Sequence, residues 1–243
     1  MSRVKGGDVE ALLQRFRVPV ESWKALAGLL DVLANPNAPT SVHDHRHAAE
    51  VHLADSLVAL EVDEVRSASV IADLGAGAGL PGLVLAAVLP HARVVLVESA
   101  GRKCEFLRAA VVAMELDNVD VVWRRAEEWR EGIGRCDVVC ARALAALPVL
   151  CEYAAPLLRD AGVLVAWKGE VAEAEAADSA AAAAHLGLAV EAVRRVAPYP
   201  GSQRRTLHVL RKVVPTPANF PRRAGSATKR PLSAKDLRRW RTN

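Results

Sequence analysis

Four glycines fall within eight residues, at positions 75, 77, 79 and 82 of the stretch Asp73-Leu74-Gly75-Ala76-Gly77-Ala78-Gly79-Leu80-Pro81-Gly82. Before them, Ser69-Val70-Ile71-Ala72 is an apolar run with the character of a buried parallel strand. After them, Leu83-Val84-Leu85-Ala86-Ala87-Val88-Leu89 reads as a helix, with Pro81 suited to its first turn. Glycines at a strand-to-helix turn remove side chains where the chain reverses, so a ligand can lie against bare backbone at a helix N-terminus. The segment therefore predicts both a βαβ fold and a nucleotide-type cofactor loop.

Two cofactors compete for that loop. Gly77-x-Gly79-x-x-Gly82 matches the dinucleotide fingerprint, with Glu98 about twenty residues on, as that fingerprint requires. Asp73-x-Gly75-x-Gly77-x-Gly79 fits the loop of enzymes that use S-adenosylmethionine. Charge favours the second reading. A carboxylate at the loop mouth repels a pyrophosphate but attracts the ammonium and sulfonium of S-adenosylmethionine. Glu98, ending the strand Val94-Val95-Leu96-Val97, suits two ribose hydroxyls under either reading.

The rest of the chain alternates. Strands are predicted near 69–73, 93–98, 119–123, 136–140 and 161–167, with helices near 81–89, 101–115, 126–131, 145–158 and 170–186. Such alternation means βαβ units and a parallel sheet. Two further strands, about 188–197 and 205–213, flank the turn Pro198-Tyr199-Pro200-Gly201, so the sheet is expected to end in an antiparallel hairpin. Upstream, helical periodicity runs over 8–34, broken at Pro19, and another helix is expected over about 46–60. The predicted architecture is α/β and Rossmann-like: a mostly parallel seven-stranded sheet with helices on both faces. The expected divisions are an N-terminal helical extension (1–62), a cofactor-binding core (63–213) and a basic, flexible tail (214–243) with room for a last helix at 233–241.

Charge is uneven. From Gln203 onward there are 12 basic residues against one acid, Asp236, of 32 basic and 28 acidic residues in all. The chain upstream is net acidic. Positive charge concentrated beside a catalytic domain suggests a polyanionic partner. No run approaches a membrane span and the start lacks a signal-peptide core, so a cytoplasmic location is the expectation. Cys104, Cys136, Cys140 and Cys151 show no zinc spacing and read as buried thiols. His43, His45 and His47 alternate and His52 follows, but no second ligand cluster completes a metal site. No metal is expected.

Several segments, in order along nearly the whole chain, resemble one family. They are His52-Leu53-Ala54-Asp55-Ser56, the glycine loop with its Leu80-Pro81-Gly82 ending, Glu98-Ser99-x-x-Arg102-Lys103-x-x-Phe106-Leu107 and Arg125-Ala126-Glu127-Glu128. Ala141-Arg142-Ala143, Lys168-Gly169 and Thr216-Pro217-x-x-Phe220-Pro221-Arg222-Arg223-Ala224-Gly225 complete the set. The chain resembles the small-subunit (16S) ribosomal RNA guanine-N7 methyltransferases, also called glucose-inhibited division protein B. The resemblance implies a class I methyltransferase fold, S-adenosylmethionine as cofactor and 16S rRNA, in the small subunit or its precursor, as partner. It implies a cofactor site on Gly75, Leu80, Glu98, Ala126, Glu127 and Arg142, to which the loop reading adds Asp73, Gly77 and Gly79.

Guanine N7 carries a free lone pair and no proton, so in-line methyl transfer to it needs proximity and orientation but no general base. No catalytic side chain is therefore assigned. Arg142, at a strand C-terminus, suits the methionine carboxylate or the RNA. Arg125, Lys168, Arg222, Arg223, Lys229 and Arg230 are candidate RNA contacts. Trp123 and Trp129 flank the expected adenine segment and read as packing residues, with base stacking as the alternative. The acidic face of the alanine-rich helix, with Glu173, Glu175 and Asp178, is expected to face solvent, away from RNA. Rival functions are an NAD(P)-dependent oxidoreductase, a non-catalytic RNA-binding assembly factor and a small-molecule methyltransferase, which would not need the basic tail.

Overall fold

A computed structural model describes residues 6–241. Its centre is a seven-stranded sheet: β1 (Val70–Leu74), β2 (Arg93–Glu98), β3 (Val119–Trp123), β4 (Cys136–Arg142), β5 (Leu158–Lys168), β6 (Leu188–Val196) and β7 (Arg205–Lys212). The strand order is β3-β2-β1-β4-β5-β7-β6. The first five strands are parallel, and β7 enters antiparallel between β5 and β6. The expected seven-stranded sheet ending in a hairpin is thus what forms. Valine-rich β1, β2 and β4 are buried on both faces, as parallel strands under helical layers must be. β3 is one of the two edges of the sheet, β6 being the other, and is only half-buried.

One apolar cluster lies on the face carrying α2 (Trp23–Leu33), α6 (Gly82–Val88) and α7 (Gly101–Ala113). It runs without a break from Phe16, Leu26 and Leu57 to Ile71, Leu83 and Leu107, so the N-terminal helices share the core of the sheet. The opposite cluster joins β1, β4 and β5 to α8 (Leu147–Ala154) and α9 (Glu173–His185). All four cysteines are buried free thiols.

Three predicted helices need correction. The helix over 46–60 is a chain of short helical types: α3 (His45–Ala48), a π-helical turn (Ala49–Ala54), α4 (Asp55–Leu57) and a 3-10 turn (Val58–Glu61). Tertiary anchoring at His52 and Asp55 overrides regular winding there. The helix over 126–131 is replaced by two 3-10 turns, Ala126–Glu128 and Arg130–Gly132, because Trp129 folds inward between them. The helix over 145–158 ends at Ala154, where the chain turns into a longer β5.

The tail is the largest correction. Instead of a flexible arm, it carries α10 (Ser226–Lys229) and α11 (Ala234–Arg241). It lays Phe220, Ala227, Leu232 and Leu237 into the cluster over α8 and α9. Arg222 grips buried Glu152 through Nε–Oε1 at 2.8 Å and Nη2–Oε2 at 2.5 Å. Ser233 caps α11 by accepting from the Asp236 amide at 3.1 Å. The acidic face of α9 is only partly covered: the tail's Ala234 amide donates to Asp178 at 2.8 Å and the Leu147 amide of α8 donates to Glu175 at 3.0 Å, while Glu173 stays exposed as expected. Basic composition hid four well-spaced apolar anchors. Arg239 and Arg241, counted with the basic tail, lie where side chains are not described.

Candidate active site

Parallel topology brings Asp73 (β1), Glu98 (β2), Trp123 (β3), Arg142 (β4) and Lys168 (β5) to one edge of the sheet, the C-terminal ends of the strands. Between β1 and α6 the backbone is left-handed at Gly75 (φ 67°), Gly77 (φ 58°) and Gly79 (φ 85°), a region that side chains disfavour. The loop hangs on β2. The amides of Gly75 and Ala76 donate to the Val97 carbonyl at 2.8 and 3.2 Å, and the Gly77 amide donates to Glu98 Oε2 at 3.0 Å. The other Glu98 oxygen accepts from the amides of Ser99 (2.8 Å) and Ala100 (2.9 Å). Glu98 thus ties the glycine loop to the start of α7 and stays buried.

Asp73 does not stand open at the loop mouth, as the charge argument assumed. It is buried, and its Oδ2 accepts from the Gly82 amide at 2.8 Å, holding the start of α6. Its Oδ1 has no partner. Burial pushes the Asp73 carboxyl up to about 7; the Gly82 amide and Arg142 pull it down, and Glu98 pushes it up further. An unpartnered acceptor next to bare glycine backbone suits a cationic ligand group.

A cleft of about 80 Å³ opens beside the loop, between Gly75, Val97, Ser99, Arg125, Ala126 and Glu127. Leu144 crosses it. A Cβ on Gly75 would stand 2.6 Å from Leu144 Cδ1, so the 143–146 segment and the loop are in contact. The Glu127 side chain accepts from the Gly225 amide at 2.8 Å, which ties this border of the cleft to the tail. Leu80 is buried behind the loop.

Arg142 is bound into a polar cluster. Its Nη1 donates to Asp55 Oδ2 at 2.8 Å; Arg205 Nη1 lies 3.8 Å from the same oxygen, and Trp167 Nε1 donates to the Asp55 carbonyl at 2.7 Å. Asp55 Oδ1, Ser56 Oγ and His52 Nδ1 are buried without partners. Burial, then Arg142 and His47, lowers His52 to about 4, so its ring is neutral near pH 7. Its Nε2 meets Thr40 Oγ1 at 2.9 Å. His43 meets the Leu33 carbonyl and His45 meets Asp31, which gives the histidine loop structural partners. Among the described residues no group of His, Cys, Asp and Glu has the arrangement of a metal site.

The expected RNA contacts divide. Arg125 is exposed at the cleft, and Lys229 and Arg223 are exposed on the tail. Lys168 Nζ pairs with Glu175 at 2.9 Å. The Arg222 guanidinium is spent on Glu152 and on the Arg230 carbonyl. Trp129 packs inside, whereas Trp123 is 56% exposed. Sequence reasoning missed Glu152 and Leu144. A lone carboxylate in the apolar run Leu147-Pro148-Val149-Leu150-Cys151-Glu152 was a usable signal for the first, because a buried acid demands a cation.

A family model described as rRNA small subunit methyltransferase G matches residues 22–205. A ribosomal RNA small subunit methyltransferase G of Rubrobacter xylanophilus is 46% identical over 187 residues, 74% of this chain and 72% of that protein. Its namesake in Roseiflexus castenholzii is 42% identical over 225 residues, 90% of this chain and 89% of that protein. Among solved structures, an S-adenosylmethionine-dependent O-methyltransferase of Thermotoga maritima superposes with a TM-score of 0.54 at 17% identity, covering 76% of this chain and 71% of that one. That likeness shows the fold. No described helix is long and apolar enough to cross a membrane.

Proposed function

The chain belongs to the rRNA small subunit methyltransferase G family, and from that membership we propose that it transfers a methyl group from S-adenosylmethionine to N7 of a guanine in 16S rRNA. The observation that carries the reading is the left-handed Gly75-x-Gly77-x-Gly79 loop hung on Glu98, with the unpartnered Asp73 oxygen beside it. The oxidoreductase reading is disfavoured by the family membership, not by Asp73, whose carboxyl is turned inward to the Gly82 amide.

S-adenosylmethionine, when bound, supplies an electrophilic methyl on a sulfonium. The residues proposed to hold it are Asp73, Gly75, Gly77, Gly79, Leu80, Glu98, Ala126, Glu127 and Arg142. Glu98 accepts the ribose hydroxyls, and backbone at 126–127 borders the base. Asp73 and Arg142 set the charge around the amino-acid end. None of them moves a proton, because N7 has none to lose. Catalysis is the alignment of lone pair, methyl carbon and sulfur. Neutral His52 is not required as a base.

Arg125, Lys168, Arg222, Arg223, Lys229 and Arg230 are proposed to present positive charge to RNA, Arg222 and Lys168 while paired within the protein. The boundaries near 62 and 213 are proposed as functional divisions within one packed body. An rRNA substrate makes the cytoplasm the expected location. The test is transfer of labelled methyl to small-subunit RNA transcribed without modifications, followed by borohydride and aniline cleavage, which cuts at N7-methylguanine. A single cleavage dependent on the protein and the donor is expected. Label at an exocyclic amine or a ribose, or no label, would overturn the reading.

A further inference from the structure

A groove of about 860 Å³ wraps the free edge of β3. It exists because two short turns stand where a helix was expected, which leaves this end of the sheet uncovered. Its floor is apolar, with Val95, Val122 and Trp129. Its rim carries four arginines, Arg93, Arg108, Arg124 and Arg135, against two carboxylates, Asp120 and Glu131. Arg93 is matched by Asp120 at 2.5 Å, but the guanidiniums of Arg108 and Arg135 make no hydrogen bond or ion pair among the described residues.

Trp123 stands at the head of this groove. Its Nε1 donates to the Ser99 carbonyl at 2.9 Å, and the ring lies against the bare Cα of Gly101, where an added Cβ would sit 3.0 Å from Cζ2. An exposed indole is thus fixed in place and open to a stacking partner. Arg124 lines this groove, the cleft beside Gly75 and the opening toward Arg222 and Arg223, so the three are neighbours around one side chain. A rigid exposed aromatic, an apolar floor and unpaired arginines suit unpaired nucleotides, which stack through their bases and pair through their phosphates.

We propose that the groove along β3 seats a single-stranded RNA segment next to the target nucleotide, one base stacked on Trp123 and phosphates on Arg108 and Arg135. The proposal rests on the reading of the protein as an RNA methyltransferase. Binding and transfer are therefore measured separately, by filter binding of transcribed small-subunit RNA at several salt concentrations and by methyl incorporation. Trp123→Ala should raise Kd and the KM for RNA about tenfold with kcat within about twofold, and Trp123→Phe should restore both. Arg108→Glu with Arg135→Glu should flatten the salt dependence of log Kd by about 1.4, at roughly 0.7 per lost phosphate contact. Thermal melts by circular dichroism establish that each variant folds. The arginine pair, exposed and unpaired, carries the test if Trp123→Ala does not. Unchanged affinity and salt slope in the charge-reversed variant would overturn the groove and leave the methyltransferase reading intact. Loss of binding by the variants of a protein that transfers no methyl would support the groove and sink that reading.

Discussion

Arg142 Nη1 donates to Asp55 Oδ2 at 2.8 Å across 87 residues, joining the C-terminal end of β4 to the irregular helical segment that precedes the sheet. Asp55 is almost fully buried and Arg142 nearly so. The pair ties one wall of the candidate site to a part of the chain that contributes no strand.

Breaking one side of that pair strands a buried charge. Asp55→Ala should cost about 3 kcal/mol in urea denaturation, toward the low end for a disrupted buried ion pair. Replacing both partners, Asp55→Leu with Arg142→Met, should cost clearly less than Asp55→Ala alone. A double variant that is less stable than Asp55→Ala would show that the pair itself, rather than the uncompensated charge, supplies the stability.

The Arg222–Glu152 pair makes the same demand on the tail. Arg222→Ala leaves Glu152, 1% exposed at its side chain, without a cation and should cost about 3 kcal/mol. Deleting residues 214–243 should lower the denaturation midpoint as well as RNA affinity, because Phe220, Leu232 and Leu237 leave the core with it. An unchanged midpoint would mean the tail is not docked in solution.

Asp73 should leave a signature in pH. Its carboxyl is raised to about 7 by burial, so the folded protein favours the neutral acid. The stability this confers is complete below the ordinary value of 3.8 and is lost as pH rises through about 7. Asp73→Asn keeps an acceptor for the Gly82 amide and cannot ionise. Relative to that variant, the wild type should gain stability from pH 7.5 down to pH 4, by at most on the order of 4 kcal/mol. Parallel denaturation curves at all pH values would show that Asp73 ionises normally.

Glu98 accepts three amides from two loops. Glu98→Ala should weaken S-adenosylmethionine binding by about 1.5–3 kcal/mol for each charge-assisted hydrogen bond lost, read by calorimetry. Wild-type affinity in that variant would move the cofactor site away from β2.

At saturating donor, single-turnover methyl transfer should vary less than about twofold between about pH 6.5 and 8.5. His52, lowered to about 4, does not titrate in that window. Asp73, raised to about 7, does titrate there, so the profile is measured in Asp73→Asn as well; a steep rise that persists in that variant would show a required base and an acceptor atom other than N7.

The glycine loop, the strand-helix alternation and the closing hairpin were legible because each is local. Gly75, Gly77 and Gly79 are needed where the backbone is left-handed, and valine runs become parallel strands wherever both faces are covered. The residues at the strand ends, Asp73, Glu98, Arg142 and Lys168, followed from the topology those patterns imply. What their side chains touch was not legible. Asp73 turns inward to Gly82, Arg142 to Asp55, Glu127 to Gly225 and Arg222 to Glu152, and every one of these partners except Gly82 is distant in sequence. A charge pattern shows how much charge a segment carries but not which charges neutralise each other. That depends on which segments burial brings together, and only the packed chain decides it. The tail is the clearest case: its arginines dominate its composition, while Phe220, Ala227, Leu232 and Leu237 determine where it lies.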